Sequence, residues 1–218
     1  MVLGNCIVAA AAFFLGSYGG IDWAQFALMI AGLALTIASG CIFNNWYDRS
    51  IDARMLRTQS RPTAQGRVWG PGVALEGLVL LAVGLALLSF EPLALAFAAL
   101  GWIFYVLVYT PLKHISGHAL WAGALAGATP PVVGYAAAAH HLDTIAALLF
   151  AFLFLWQVPH FLAIARYRFG EYAAAGVPLL VKMSESKEAR ARARAIFKGS
   201  LALLLLSCVA LAATHFLY

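Results

Sequence analysis

Asn44-Asn45-Trp46-Tyr47-Asp48-Arg49-Ser50-Ile51-Asp52 follows without interruption from an apolar stretch that occupies positions 25–44. If one helix carries both, positions 44, 48 and 52 lie one turn apart and rotate by about 40° per step, so an amide and two carboxylates share a face. The stretch therefore reads as a membrane helix that emerges from the apolar layer and carries a ladder of oxygen ligands at its mouth. Arg54, Arg57 and Arg61 follow at once.

The rest of the chain agrees with a membrane setting. Of the 218 residues, 63% are hydrophobic and 11% charged, and the mean hydropathy is +0.86. A water-soluble domain needs a far more polar surface than this. Apolar runs at 2–18, 25–44, 72–90, 93–110, 118–138, 144–165 and 197–217 predict about seven spans in an all-α, polytopic transmembrane bundle. No second domain is indicated, so residues 1–218 are read as one unit. The first apolar run has no basic flank ahead of it and is followed by further spans, so no cleavable signal peptide is expected.

Charge divides the connections into two classes. The loops with Asp22, Glu91 and His140-His141-Leu142-Asp143 contain no Lys or Arg, whereas all 14 basic residues lie in 49–67, at Lys113, and in 166–198. This alternation across seven helices predicts that the basic loops are cytoplasmic. Topology and anionic head groups in the lipid bilayer account for the net charge of +5, and no nucleic acid is expected as a partner. Cys6, Cys41 and Cys208 are isolated within or beside apolar runs and have no metal-ligand spacing, so they read as small buried hydrophobes.

Two carboxylates and an amide oxygen on one stripe suit Mg²⁺, a hard cation that fills its coordination sphere with water and substrate phosphate. The arginines beside them suit the oxygens of a diphosphate, which guanidinium groups bind bidentately. Such a set would stabilise charge on a departing diphosphate. A solvated helix end with i, i+4 ion pairs is the plain alternative. A cation transporter or channel with an acidic mouth is another, although clustered arginines would repel cations at a pore entrance.

The run NxxxDxxxD followed by Arg57-Thr58-x-x-Arg61-Pro62 resembles the first aspartate-rich motif of the UbiA-type intramembrane prenyltransferases. With Asn45 rather than Asp after Asn44, it is similar to the branch that farnesylates protohaem IX to give haem O. The resemblance implies a Mg²⁺-dependent transfer from farnesyl diphosphate to haem b. It also implies a nine-helix bundle, of which this chain would lack the segment before the first helix and the last two spans. A bacterial inner membrane, and haem A synthase or terminal oxidase assembly partners, are further implications. A quinone precursor or a chlorin is the alternative acceptor within the superfamily.

Three later segments extend the resemblance. Tyr109-Thr110-Pro111-Leu112-Lys113 matches a YxxxK element, which implies that Lys113 meets the diphosphate and Tyr109 lines the pocket; a lone Lys at a helix end otherwise snorkels to the interface. Gly123-Ala-Leu-Ala-Gly127-Ala-Thr-Pro130-Pro131 combines a close-packing GxxxG with two prolines, so a kink or widened cavity is expected. Trp156-Gln157-Val-Pro159-His160 places an imidazole inside a span, either as a cavity-facing group able to ligate haem iron or as a hydrogen-bonded interior His. The EYxxxGxP element at Glu171, Tyr172, Gly176 and Pro178 matches the second motif region, where the family commonly has Asp at the position of Glu171.

The resemblance thus implies Mg²⁺ at Asn44, Asp48, Asp52 and Glu171. It implies phosphate contacts from Arg57, Arg61, Lys113 and Arg168, and substrate contacts from Tyr109, Tyr172 and His160. The remaining histidines, 114, 118, 140, 141 and 215, show no ligand spacing. Lys187 to Arg194 reads as a solvated helix start facing lipid head groups.

Overall fold

A computed structural model describes residues 1–178 and 186–217, with side chains through Thr214; Lys182 of the third basic connection and the His215 side chain lie outside the described residues. The described residues are helical without strands: α1 Val2–Gly16, α2 Trp23–Tyr47, α3 Arg49–Asp52, α4 Gly70–Leu88, α5 Pro92–Ile103, a π-helical turn Phe104–Tyr109, α6 Thr110–Leu112, α7 Ala119–Gly127, α8 Thr129–Ala139, α9 Thr144–Tyr167, α10 Phe169–Ala174 and α11 Lys187–Leu217. Five helices are long and apolar enough to cross a membrane: 23–47, 70–88, 92–112, 144–167 and 187–214. With the shorter α1 and the broken pair α7–α8 they make seven layers of an integral, multi-pass bundle. The expected single span at 118–138 is a pair of helices meeting at Ala128, because Pro130 and Pro131 have no N–H to continue the α7 ladder.

The basic-free loops owe their acids to helix capping. Asp22 Oδ1 accepts from the backbone N–H groups of Ala24 and Gln25 at 2.9 and 3.0 Å. Asp143 Oδ1 does the same for Ile145 and Ala146 at 2.9 and 3.1 Å, and Glu91 for Leu93 at 3.2 Å. Each carboxylate satisfies donors that a helix start would otherwise leave open, and complements the positive end of the dipole. These loops also hold one another: His140 Nδ1 lies 2.6 Å from Glu91 Oε2, and the Tyr135 hydroxyl donates to Asp143 Oδ2 at 2.7 Å. His140, at φ 59°, ends α8 as its left-handed cap.

Apolar burial gives no advantage to helix pairing inside hydrocarbon, so close contact and polar links hold the bundle together. A Cβ on Gly32 would lie 2.8 Å from the Gly84 carbonyl, and one on Gly84 would lie 2.6 Å from Thr36 Oγ1. Helices α2 and α4 therefore touch backbone to backbone. A Cβ on Gly134 would fall on the Ala9 carbonyl, which seats α8 against α1. Ser39 Oγ donates to the Gly77 carbonyl at 2.7 Å and accepts from Trp102 Nε1 at 3.1 Å, linking α2, α4 and α5.

Candidate diphosphate site and apolar chamber

Helix α2 ends at Tyr47, but the backbone keeps the helical hydrogen-bond spacing through Asp48. Asp48 N donates to Asn44 O at 2.9 Å and Asp52 N to Asp48 O at 2.8 Å. The ladder expected from spacing is therefore present, tightened at Asp48 where α2 passes into the single turn α3. Beyond it the chain folds back: the Thr58 hydroxyl donates to the Asp52 carbonyl at 3.0 Å. Ile51 and Met55 pack on Ala175, Tyr172 and Val177, which brings the 48–69 and 168–178 connections together.

Asp48 is 8% and Asp52 2% exposed, and carboxylates this buried need partners. Asp48 Oδ2 accepts from Lys113 Nζ at 2.6 Å and from Asn44 Nδ2 at 2.8 Å, while Oδ1 lies 2.9 Å from His114 Nε2. Asp52 Oδ2 accepts from Arg61 Nη1 at 2.7 Å, and the same nitrogen reaches Asn45 Oδ1 at 2.9 Å. Asn44 Oδ1 in turn accepts from the Tyr105 hydroxyl at 3.0 Å. Burial pushes the Lys113 ammonium below the usual lysine range, a shift that the charge and hydrogen bond of Asp48 oppose. Burial raises the Tyr172 phenol, with Arg57 and Arg168 opposing, so it stays a protonated donor at the mouth.

Asn44, Asp48, Asp52, Arg57, Arg61, Tyr109, Lys113 and Tyr172 line a cavity of about 250 Å³, with His114, Asn45 and Tyr105 behind its wall. Asn44, Tyr109 and Phe161 also line a second, mainly apolar cavity of about 310 Å³ within the bundle. The polar mouth and the apolar chamber thus meet at three shared side chains. Tyr109 reaches this junction through the π-helical turn. Pro111 lacks an N–H and its ring would crowd a preceding carbonyl, and the wider turn accommodates it while the Thr110 hydroxyl donates to Tyr105 O at 2.8 Å. Tyr105 and Tyr109 stack at 5.7 Å, and Gly123 makes room for the Tyr109 ring, 3.0 Å from where a Cβ would be.

Not every expected site residue joins the mouth. Glu171 accepts from Arg168 Nη1 at 3.1 Å and lies 4.0 Å from Arg57 Nε, and neither Glu171 nor Arg168 lines the cavity. Among the described residues no three His, Cys, Asp or Glu side chains converge as a metal-holding group. Arg49 stacks on Trp46 and Arg54 donates to the Ser50 carbonyl, both outside the cavity lining. His160 lines the chamber, where its ring stacks on Trp156 at 4.5 Å.

His114 is the residue that sequence reasoning missed. It follows Lys113 at the basic end of its span, and that adjacency to a phosphate-binding candidate was the available signal. Its partner Asp48 lies 66 residues away, a separation that spacing rules do not reach.

The oxygen donors at Asn44, Asp48 and Asp52 suit a hard divalent cation, and Arg57, Arg61 and Lys113 beside them suit a polyanion. A mouth of this chemistry that shares a wall with an apolar chamber suits an amphiphile with an anionic head and a hydrocarbon tail.

A sequence profile of the UbiA prenyltransferase family matches residues 5–218. The protohaem IX farnesyltransferase of Marinomonas sp. (strain MWYL1) is 46% identical over 183 residues, covering 83% of this chain and 62% of that protein. That of Chromohalobacter salexigens is 47% identical over 184 residues with the same coverage. The chain thus spans less than two thirds of the length of these relatives. Among solved structures, a UbiA homologue from Archaeoglobus fulgidus bound to DMAPP and Mg²⁺ superposes with a TM-score of 0.71 at 16% identity, over 100% of this chain and 82% of that one. An apo UbiA homologue from Aeropyrum pernix K1 gives 0.67 at 19% identity, over 99% and 76%.

Proposed function

The chain belongs to the UbiA prenyltransferase family, and on that premise we propose that it transfers a farnesyl group from farnesyl diphosphate to a vinyl group of haem b, giving haem O. The observation that carries the reading is the junction at Asn44, Tyr109 and Phe161, side chains that line both a cationic and acidic mouth and an apolar chamber. The names of the relatives support haem b as the acceptor, and Asn45 beside the ladder agrees with them.

In this reading Asn44, Asp48 and Asp52 hold Mg²⁺, with Glu171 joining them only if it leaves Arg168. The cation, when bound, neutralises charge on the diphosphate oxygens. Arg57, Arg61 and Lys113 pair with the phosphates from the same wall, and Arg168 reaches them if Glu171 releases it. The farnesyl chain lies in the chamber, where each buried CH₂ contributes about 0.8 kcal/mol. The bond from C1 to the diphosphate oxygen breaks with its electron pair leaving on oxygen. The vinyl π electrons of haem b form the new carbon–carbon bond, and water adds to the resulting cation and loses a proton, leaving a hydroxyethylfarnesyl group. The chamber walls keep bulk water from the allylic carbon until the acceptor reaches it. His160 orients the porphyrin from the chamber wall. The mouth faces the cytoplasm of a bacterial inner membrane, by the charge bias of the loops. Haem A synthase or terminal oxidase assembly factors are the partners that would receive the product.

The test is mass spectrometry of haems extracted from cells that express the chain. A haem O peak is expected from the parent and none from Asp48→Ala, with both proteins recovered in the membrane. Full haem O yield from Asp48→Ala would end this reading, and a prenylated quinone precursor or chlorin in place of haem O would reassign the acceptor.

A further inference from the structure

Inside the chamber wall, His160 Nδ1 lies 2.8 Å from Ser200 Oγ, and the Ser200 hydroxyl donates to the Phe197 carbonyl at 2.8 Å. A hydroxyl has one hydrogen, and a carbonyl can only accept. Both contacts are satisfied together only when Ser200 gives its hydrogen to Phe197 and receives one from His160 Nδ1. The neutral ring then carries its proton on Nδ1 and a lone pair on Nε2. Among the described residues Nε2 has no hydrogen-bond partner. Trp156 stacks on one side of the ring at 4.5 Å and 22°, and Phe197 lies at 5.1 Å, so its plane is held as well as its tautomer. His160 is 8% exposed, and the surface it keeps lies against the chamber that Tyr105, Tyr109 and Gln157 also line.

A neutral imidazole with an unshared Nε2 pair in an apolar chamber is a ligand for haem iron. We propose that His160 Nε2 binds the iron of the acceptor haem axially, and that Ser200, in α11, is a positioning residue that fixes the ligating tautomer. The inference rests on the reading of the chain as a haem farnesyltransferase. It goes beyond that reading by assigning α11 a part in holding the acceptor. An iron bond made from the wall of the chamber fixes the porphyrin in rotation and depth, which an apolar surface alone does not.

The inference is tested by titrating haem b, without farnesyl diphosphate, into the protein purified in detergent, and recording absorption and electron paramagnetic resonance spectra. The parent should give an imidazole-ligated ferric haem. His160→Ala should lose that signature, and added imidazole should restore it, which a folding defect would not allow. Ser200→Ala should weaken haem affinity about tenfold or more, while Ser200→Thr, which keeps the hydroxyl, should behave as the parent. An unchanged spectrum in His160→Ala overturns the axial ligand, and unchanged affinity in Ser200→Ala overturns the positioning role. If cells make haem O while the bound haem lacks a nitrogen-ligand signature, this inference falls and farnesyl transfer stands. If neither haem binding nor haem O is found, both fall together.

Discussion

At the scale of single residues, the mouth is organised around Asp48, which is held at once by Lys113, Asn44 and His114. His114 touches one carboxylate oxygen and lies outside the cavity lining, so its part is to orient Asp48. If Asp48 holds Mg²⁺ as proposed, substitution of His114 by Ala should raise the Mg²⁺ concentration needed for half-maximal turnover about tenfold, because a group that supports a metal ligand is typically worth that much in affinity. A Mg²⁺ titration of farnesyl transfer by membranes containing the variant measures it. If Arg61 pairs with the diphosphate as proposed, Arg61→Ala should lower kcat/KM for farnesyl diphosphate about a hundredfold. It leaves Asp52, 2% exposed, without its guanidinium partner, so Arg61→Lys serves as the control for charge against fork geometry. The ladder itself was legible in the sequence because helical spacing is a local property, and 44, 48 and 52 need only one continuous turn after another. The orientation of Glu171 was not legible. Its carboxylate is held by Arg168 at 3.1 Å, with Arg57, 114 positions away in the chain, at 4.0 Å, and helical spacing alone does not say that this pairing keeps it out of the cavity lining.

Among the helices, the hydropathy pattern located the first six layers to within a few residues, since about 20 apolar residues in a row have few other uses, whereas α11 starts at Lys187, ten residues before the apolar run at 197–217. The break between α7 and α8 was readable from Pro130 and Pro131. The π-helical turn at Phe104–Tyr109 was not, because apolarity is the same whether a turn closes in four residues or five; only Thr110-Pro111 hinted at it. That turn sets Tyr109 at the junction between mouth and chamber and Tyr105 in the chamber wall behind it. Close helix approach gives the next prediction. Gly134→Ala puts a methyl group on the Ala9 carbonyl and must push α1 from α8, which should lower stability by about 1–3 kcal/mol, the usual cost of overpacking. Thermal unfolding of the purified protein, followed by loss of the monodisperse peak on size-exclusion chromatography, reads the change. Gly4→Ala, with nothing within 4 Å of the new methyl group, should leave the transition where it was.

For the molecule as a whole, the two ends of the bundle differ in chemistry. One end caps its helices with Asp22, Glu91 and Asp143, and the other carries the basic loops and the site. The predicted orientation follows from that asymmetry and is checked with single cysteines in a variant whose Cys6, Cys41 and Cys208 are replaced by Ser. A membrane-impermeant thiol reagent should label Leu142→Cys in intact cells, and Gln65→Cys only in inverted vesicles. The reverse pattern would place the site outside. If the proposed farnesyl transfer holds, the shared walls at Asn44, Tyr109 and Phe161 also bear on how the products leave. In that reaction the leaving group would be released toward water and the enlarged porphyrin toward hydrocarbon, so the two products would part into different solvents. Reversal would require both to return to one point from opposite phases. On this reading the bilayer acts as an extraction funnel that draws the reaction forward.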